Sequence, residues 1–193
     1  MYYLLVALIG LLLGVSLAAP PGPVTAVLVN RASRSSMAGI MVGMGAMTAD
    51  FTLMIITFTL RRLLPLDSYE TYFYLAGAIF FAILSLLILL GNEKEEEHVR
   101  GGYPTGLFMG LVNPFQIGWW LTAGIAFVQK FGYYPFYFLF AGIVAWVVFL
   151  SLTVRYSIMK YGERARNAFR IFSSVTLIFF SAFFSYYFLV SLP

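Results

Sequence analysis

One carboxylate stands alone in the middle of an apolar stretch. Asp50 lies near the centre of residues 37–60, which contain no other charged side chain. An ionised Asp at mid-bilayer costs about 2.5–3.5 kcal/mol on an insertion scale, so such groups face a bundle interior or a wet cavity. Gly39, Gly43, Ala46, Asp50 and Thr57 recur at helical steps along one stripe. Small residues on that stripe let a neighbouring helix approach closely. Asp50 could therefore bind a cationic group or exchange a proton. The competing reading is a buried Asp that pairs with a hydroxyl or an Arg for packing alone.

Two backbone irregularities accompany it. Pro20, Pro21, Gly22 and Pro23 form a run that a helix cannot accommodate, because proline removes donors and clashes with the preceding turn. The carbonyls freed there need protein or water around them if the break lies within the membrane. The alternative is a loop that ends a helix at the interface, but the apolar residues from Val24 to Val29 favour an internal break. Asn113-Pro114 is the second irregularity, inside the apolar run 105–129. Asn113 and Gln116 are the strongest hydrogen-bonding side chains there, and Trp119 and Trp120 follow. The tryptophans fit an interfacial belt or a cavity wall equally well. These residues, Asp50 with the two proline breaks, Asn113, Gln116, Trp119 and Trp120, are the candidate substrate and coupling site.

The elements that position them are membrane helices. Of 193 residues, 61% are hydrophobic and 10% charged, against roughly 25% charged in a soluble domain. Residues 1–30, 101–129 and 171–193 contain no Asp, Glu, Lys or Arg. Runs of about 20 apolar residues span a bilayer as helices. Six segments can be marked: Tyr2 to Ala19 with a continuation to Val29, then 37–60, 71–91, 105–129, 133–154 and 171–192. Ser174, Ser181 and Ser185 on the sixth, and Gly142 with Ala145 on the fifth, suggest close helix packing. Ser16-Leu17-Ala18 resembles a cleavage site, but no basic residue precedes the apolar run, so cleavage is not expected.

Basic residues suggest an orientation. Arg31, Arg34, Lys94, Arg100, Arg155, Lys160, Arg164, Arg166 and Arg170 fall in odd-numbered loops, whereas Arg61, Arg62 and Lys130 fall in even ones. The positive-inside rule then puts the odd loops in the cytoplasm and both termini outside. The net charge of +4 is accounted for by those loops and implies no nucleic acid. The stretch Gly91 to Gly102 is the one hydrophilic linker, with Glu93, Glu95, Glu96, Glu97 and a solvated His98. It separates a first three-helix repeat (1–92) from a second (105–193), residues 93–104 being an acidic cytoplasmic linker. Three spans per half make an inverted repeat, a recurrent transporter architecture. Gly10 and Gly14 precede the first proline break as Gly106 and Gly110 precede the second.

These features together resemble the LysE-type amino-acid exporter superfamily. The resemblance rests on the glycine-rich first helix, Pro21-Gly22-Pro23, the segment with Arg31, the glycine-rich second helix with Asp50, and Asn113-Pro114. It covers essentially the whole chain in length and helix order. It implies a plasma-membrane exporter of basic amino acids, homoserine, threonine, leucine or related solutes, driven by protons or the membrane potential. Two features depart from the pattern. The central linker is short and acidic, and no acidic residue follows Pro114, as it does in the lysine-exporting type. Lysine is therefore disfavoured as substrate.

The expected fold is an all-α integral membrane protein of six transmembrane helices, a 3+3 inverted repeat with broken first and fourth helices. Its expected partners are a small-molecule substrate, a coupling proton and the lipid bilayer, with a homo-oligomer also open. A metal-ion or other inorganic-ion transporter is the alternative, but it would call for several intramembrane carboxylates or histidines. Thiol redox chemistry is excluded by the absence of cysteine. A purely structural subunit would leave Asp50 and the paired prolines unexplained. No nucleophile–base pair, phosphate loop or metal-ligand cluster appears in the spans, so neither enzymatic activity nor a cofactor is expected.

Overall fold

The computed structural model of the chain describes residues 2–19, 21–60, 70–90, 99–124, 127–128 and 131–190. Those residues are almost entirely helical. The helices are α1 (Tyr2–Ala18), α2 (Pro23–Arg34), α3 (Ser36–Leu60), α4 (Glu70–Leu90), α5 (Val99–Val112), α6 (Pro114–Trp119), α7 (Tyr134–Tyr161) and α8 (Glu163–Val190). A π-helical turn, Trp120–Gly124, continues α6. Three helices, α3, α7 and α8, are long and apolar enough to cross a bilayer. The pair α1 and α2, bent by 81° between them, can supply a fourth crossing. Large apolar side chains such as Leu12, Ile83, Phe149 and Phe179 are exposed around the outside, as lipid-facing residues are. The protein is a multi-pass membrane protein.

Local sequence explains the breaks. Gly22 is extended and Pro23 occupies the first helical position of α2, where its missing N–H costs nothing. Asn113 leaves the helical region, with φ −80° and ψ 108°, because Pro114 disfavours α geometry in the residue before it. Its side chain then caps α6, accepting from the Phe115 amide at 3.1 Å. Both expected helix interruptions are present, although Pro20 and the hydrophilic residues 91–98 lie outside the described residues. So do Arg61, Arg62, Lys94 and Lys130.

Glycines set the packing. A Cβ on Gly10 or Gly14 of α1 would overlap the carbonyls of Pro135 and Leu139 on α7, and one on Gly142 would overlap the Leu11 carbonyl. The same relation joins α5 to α3. There Gly102 and Gly106 face the carbonyls of Ala38 and Val42, and Gly45 faces that of Tyr103. Helices this close gain from dispersion and leave no room for side chains between them. The third pair, α4 and α8, is joined by hydroxyls. Ser85 Oγ donates to the Ser174 carbonyl at 3.1 Å, and Ser181 Oγ to the Ala78 carbonyl at 2.8 Å. The core of Leu139, Phe81, Phe184, Leu177 and Trp120 lies between these pairs.

Several details differ from the sequence reading. The helix expected to end at residue 154 runs to Tyr161, and α8 starts at Glu163 rather than 171. Arg155, Lys160, Arg164, Arg166 and Arg170 therefore sit on helix ends, not in a loop. Gly162 alone makes the turn, with a φ of 57° that side-chain-bearing residues rarely adopt. α5 begins at Val99, so the last residues of the proposed 93–104 linker are helical. Ala145 and Ser185 are exposed, so neither joins the packing stripe assigned to it.

Candidate functional site

α3 carries Asp50 half-way along its length, on the buried stripe of Gly39, Gly43, Ala46 and Thr57. The side chain is 4% exposed. Trp120 Nε1 donates to its Oδ1 at 2.9 Å, and Trp120 is itself 0% exposed. The Gln116 side chain lies beside the same carboxylate. Asn113 Nδ2 in turn donates to Gln116 Oε1 at 3.2 Å. The α6 cap, Gln116 and Trp120 thus gather around Asp50. The π-helical turn matters here, because it follows directly on the short α6 and begins with Trp120 itself. Such turns recur at functional sites.

A cavity of about 410 Å³ opens beside this network. Its wall contains Asp50, Asn113, Gln116 and Trp119, together with Pro21, Gly22 and Pro23 at the first break. The two helix interruptions and the buried carboxylate, far apart in sequence, therefore meet at one space. The volume falls in the range of small-molecule sites. Trp119 lines the cavity and Trp120 is buried against Asp50. Pro114 is buried but does not line the space.

Electrostatically the site is one-sided. Among the described residues Asp50 is the only ionisable side chain on the cavity wall, and no Lys, Arg or His joins it. Neutral donors alone hold the carboxylate. A buried charge held this way invites a cationic partner or a proton. Among the described residues no group of three or more His, Cys, Asp or Glu could hold a metal ion.

The match to a family model decides the relationship, since the model for the LysE type translocator covers residues 15–188. The chain belongs to the LysE type translocator family. A 122-residue stretch is also 31% identical to a Bacillus subtilis (strain 168) protein named "Putative amino acid efflux protein YcgF". That match covers 58% of this chain and 58% of the relative, so the similarity spans little more than half of either. No solved structure matches the chain.

For this LysE type chain the sequence reading missed one wall of the site. Trp146, Val147 and Leu150 of α7, Met47 of α3 and Phe180 of α8 also line the cavity. Trp146 is notable because its Nε1 is buried without a hydrogen-bond partner. A lone Trp well inside an apolar span, far from either interface, was the available signal.

Proposed function

We propose that the protein is a secondary transporter that exports amino acids from the cytoplasm, with the Asp50 cavity as its substrate and coupling site. The observation that carries this reading is a buried carboxylate, held only by neutral donors, on the wall of a cavity where two helix breaks meet. Family membership and the name of the Bacillus relative support it. Asp50 binds the substrate ammonium. The first turn of α2, at Gly22 to Thr25 on the same cavity wall, presents the positive end of a helix dipole to the substrate carboxylate. After release, a proton entering from outside neutralises Asp50 and lets the empty carrier return. The residues named for this site are Asp50, Asn113, Gln116, Trp119 and Trp120, with the breaks at Pro20–Pro23 and Pro114 supplying its backbone.

The architecture we propose is six spans in two inverted halves, 1–92 and 105–193, joined by the linker 93–104, in the plasma membrane with both termini outside. Reciprocal contacts support it. The α1–α7 glycine contacts at Gly10, Gly14 and Gly142 reappear in α5–α3 at Gly102, Gly106 and Gly45, at constant shifts along the sequence. The two serine bonds exchange in the same way: Ser181 to Ala78 becomes Ser85 to Ser174. A pseudo-two-fold relating the halves produces this exchange, and it gives the α4–α8 pair a place on the axis.

The test is efflux from proteoliposomes under an imposed pH gradient, comparing wild type with Asp50→Asn. Asn keeps the shape and removes both the charge and its titration. Asp50→Asn is expected to extract as a monodisperse species and lose gradient-driven efflux. Substrate counterflow then separates the roles: retained exchange assigns Asp50 to the proton, and lost exchange assigns it to the ammonium as well. Wild-type efflux with unchanged pH dependence would remove Asp50 from the mechanism.

A further inference from the structure

The proposed export of amino acids leaves the substrate side chain open, and the cavity wall constrains it. Apart from Asp50, the polar side chains lining the space are Ser16, Thr25, Asn113, Gln116 and the two indoles. Ser16 is already engaged with the Leu13 carbonyl, and Asn113 and Gln116 belong to the network behind the carboxylate. The remainder of the wall is mainly apolar, with the aromatic side chains Phe115, Trp119, Trp146 and Phe180 among aliphatic ones such as Met47 and Leu150.

We infer that the transported species is an α-amino acid with a bulky apolar side chain, aromatic or branched aliphatic, seated among Trp119, Trp146, Phe180 and Met47. The inference rests on the amino-acid reading of the site. Charge decides against the other side-chain classes. One carboxylate serves one cation, and the α-ammonium takes it. Among the described residues the wall offers no counter-charge for the second cation of a lysine or arginine substrate, and no Lys, Arg or His for an acidic side chain. Size decides within the neutral class. A space of about 410 Å³ exceeds what alanine or glycine fills, so a small substrate leaves the aromatic wall without contacts. Met47 supplies an adaptable surface that can settle against either ring or branched shapes.

Counterflow in proteoliposomes holding the full chain reads this directly. Labelled leucine or phenylalanine is exchanged against an excess of unlabelled leucine, phenylalanine, alanine, lysine or glutamate. Leucine and phenylalanine should exchange at least about tenfold more efficiently than the other three, the discrimination that a few methylenes in an apolar seat provide. Met47→Trp, which fills the seat, should reduce phenylalanine exchange about tenfold more than alanine exchange. Met47→Ala, which enlarges it, should shift preference toward tryptophan. A wild-type preference for lysine, glutamate or alanine, still abolished by Asp50→Asn, overturns the inference and leaves amino-acid export standing. Exchange of no amino acid by a monodisperse wild-type protein overturns both. Uniform losses across all side chains in the Met47 variants also overturn the inference, because the seat would then not discriminate.

Discussion

Among the described residues Asp50 has no cation beside it, and that fixes what its neighbours must do. Trp120 Nε1 donates to a carboxylate that is 4% exposed, and Gln116 lies beside it. Hydrogen bonds to a charged group contribute about 1.5–3 kcal/mol each. Trp120→Phe keeps the ring against Phe136, Phe140 and Phe58 and deletes only the donor. We expect it to destabilise the detergent-solubilised protein by about 1–3 kcal/mol, the cost of an unsatisfied buried partner. The same change made on Asp50→Asn should cost clearly less, because the charge it served is gone. A double-mutant cycle in chemical or thermal unfolding measures this coupling. Additive effects would mean that the indole supports Asp50 by packing alone.

At the scale of elements, glycine positions sort into those that hold helices together and those that do not. Gly14 and Gly106 sit where an added Cβ would overlap the Leu139 and Val42 carbonyls, which cannot move without their helices. Gly14→Ala and Gly106→Ala should each separate a helix pair and lower stability by about 1–3 kcal/mol, the usual cost of overpacking. Gly118 of α6 has nothing within 4 Å of an added Cβ. Gly118→Ala should therefore be neutral or mildly stabilising, given alanine's helix propensity. Melting of the three variants in one detergent gives the comparison, and equal losses at all three would refute the packing account. The Gly/Pro pattern was legible in the sequence for a physical reason: lipid tolerates few irregular residues, so each one announces itself. Asp50 was legible for the same reason, as the one charge in its span. The helix ends near residue 162 were not, because hydropathy marks where a helix leaves the hydrocarbon and not where its hydrogen bonding stops. Only Gly162, with its positive φ, marks the real end. Met47, Leu150 and Phe180 were equally hidden, since an apolar side chain facing a cavity looks in sequence like one facing lipid.

On the scale of the whole molecule, the two ends of the bundle differ in kind. Arg155 on α7 donates to the Ser33 carbonyl at 3.3 Å, which places the basic end of α7 beside the basic end of α2. Arg31, Arg34, Arg155, Lys160, Arg164, Arg166 and Arg170 thereby gather at one end of the described structure. The opposite end carries tyrosines. Tyr3 packs edge-on to Tyr134, so the starts of α1 and α7 meet, and Tyr74 stacks on Tyr187, so the start of α4 meets the end of α8. Tyrosine suits a membrane interface and basic residues suit the cytoplasmic side. The proposed orientation thus has a spatial basis beyond loop order, and it puts the tyrosine end outside. Because the sequence contains no cysteine, single introduced thiols report it without background. Tyr133→Cys tests the tyrosine end and Glu163→Cys the basic end; both positions are exposed. Loss of Glu163 gives up only its exposed pair with Arg166, a contact of little energetic weight. In intact cells a membrane-impermeant maleimide should label Tyr133→Cys and leave Glu163→Cys unlabelled until the membrane is permeabilised. The reverse pattern would invert the protein in the membrane, and with it the direction in which Asp50 meets substrate and proton. Labelling of both without permeabilisation would place both ends of α7 on the same side and exclude it as a membrane span.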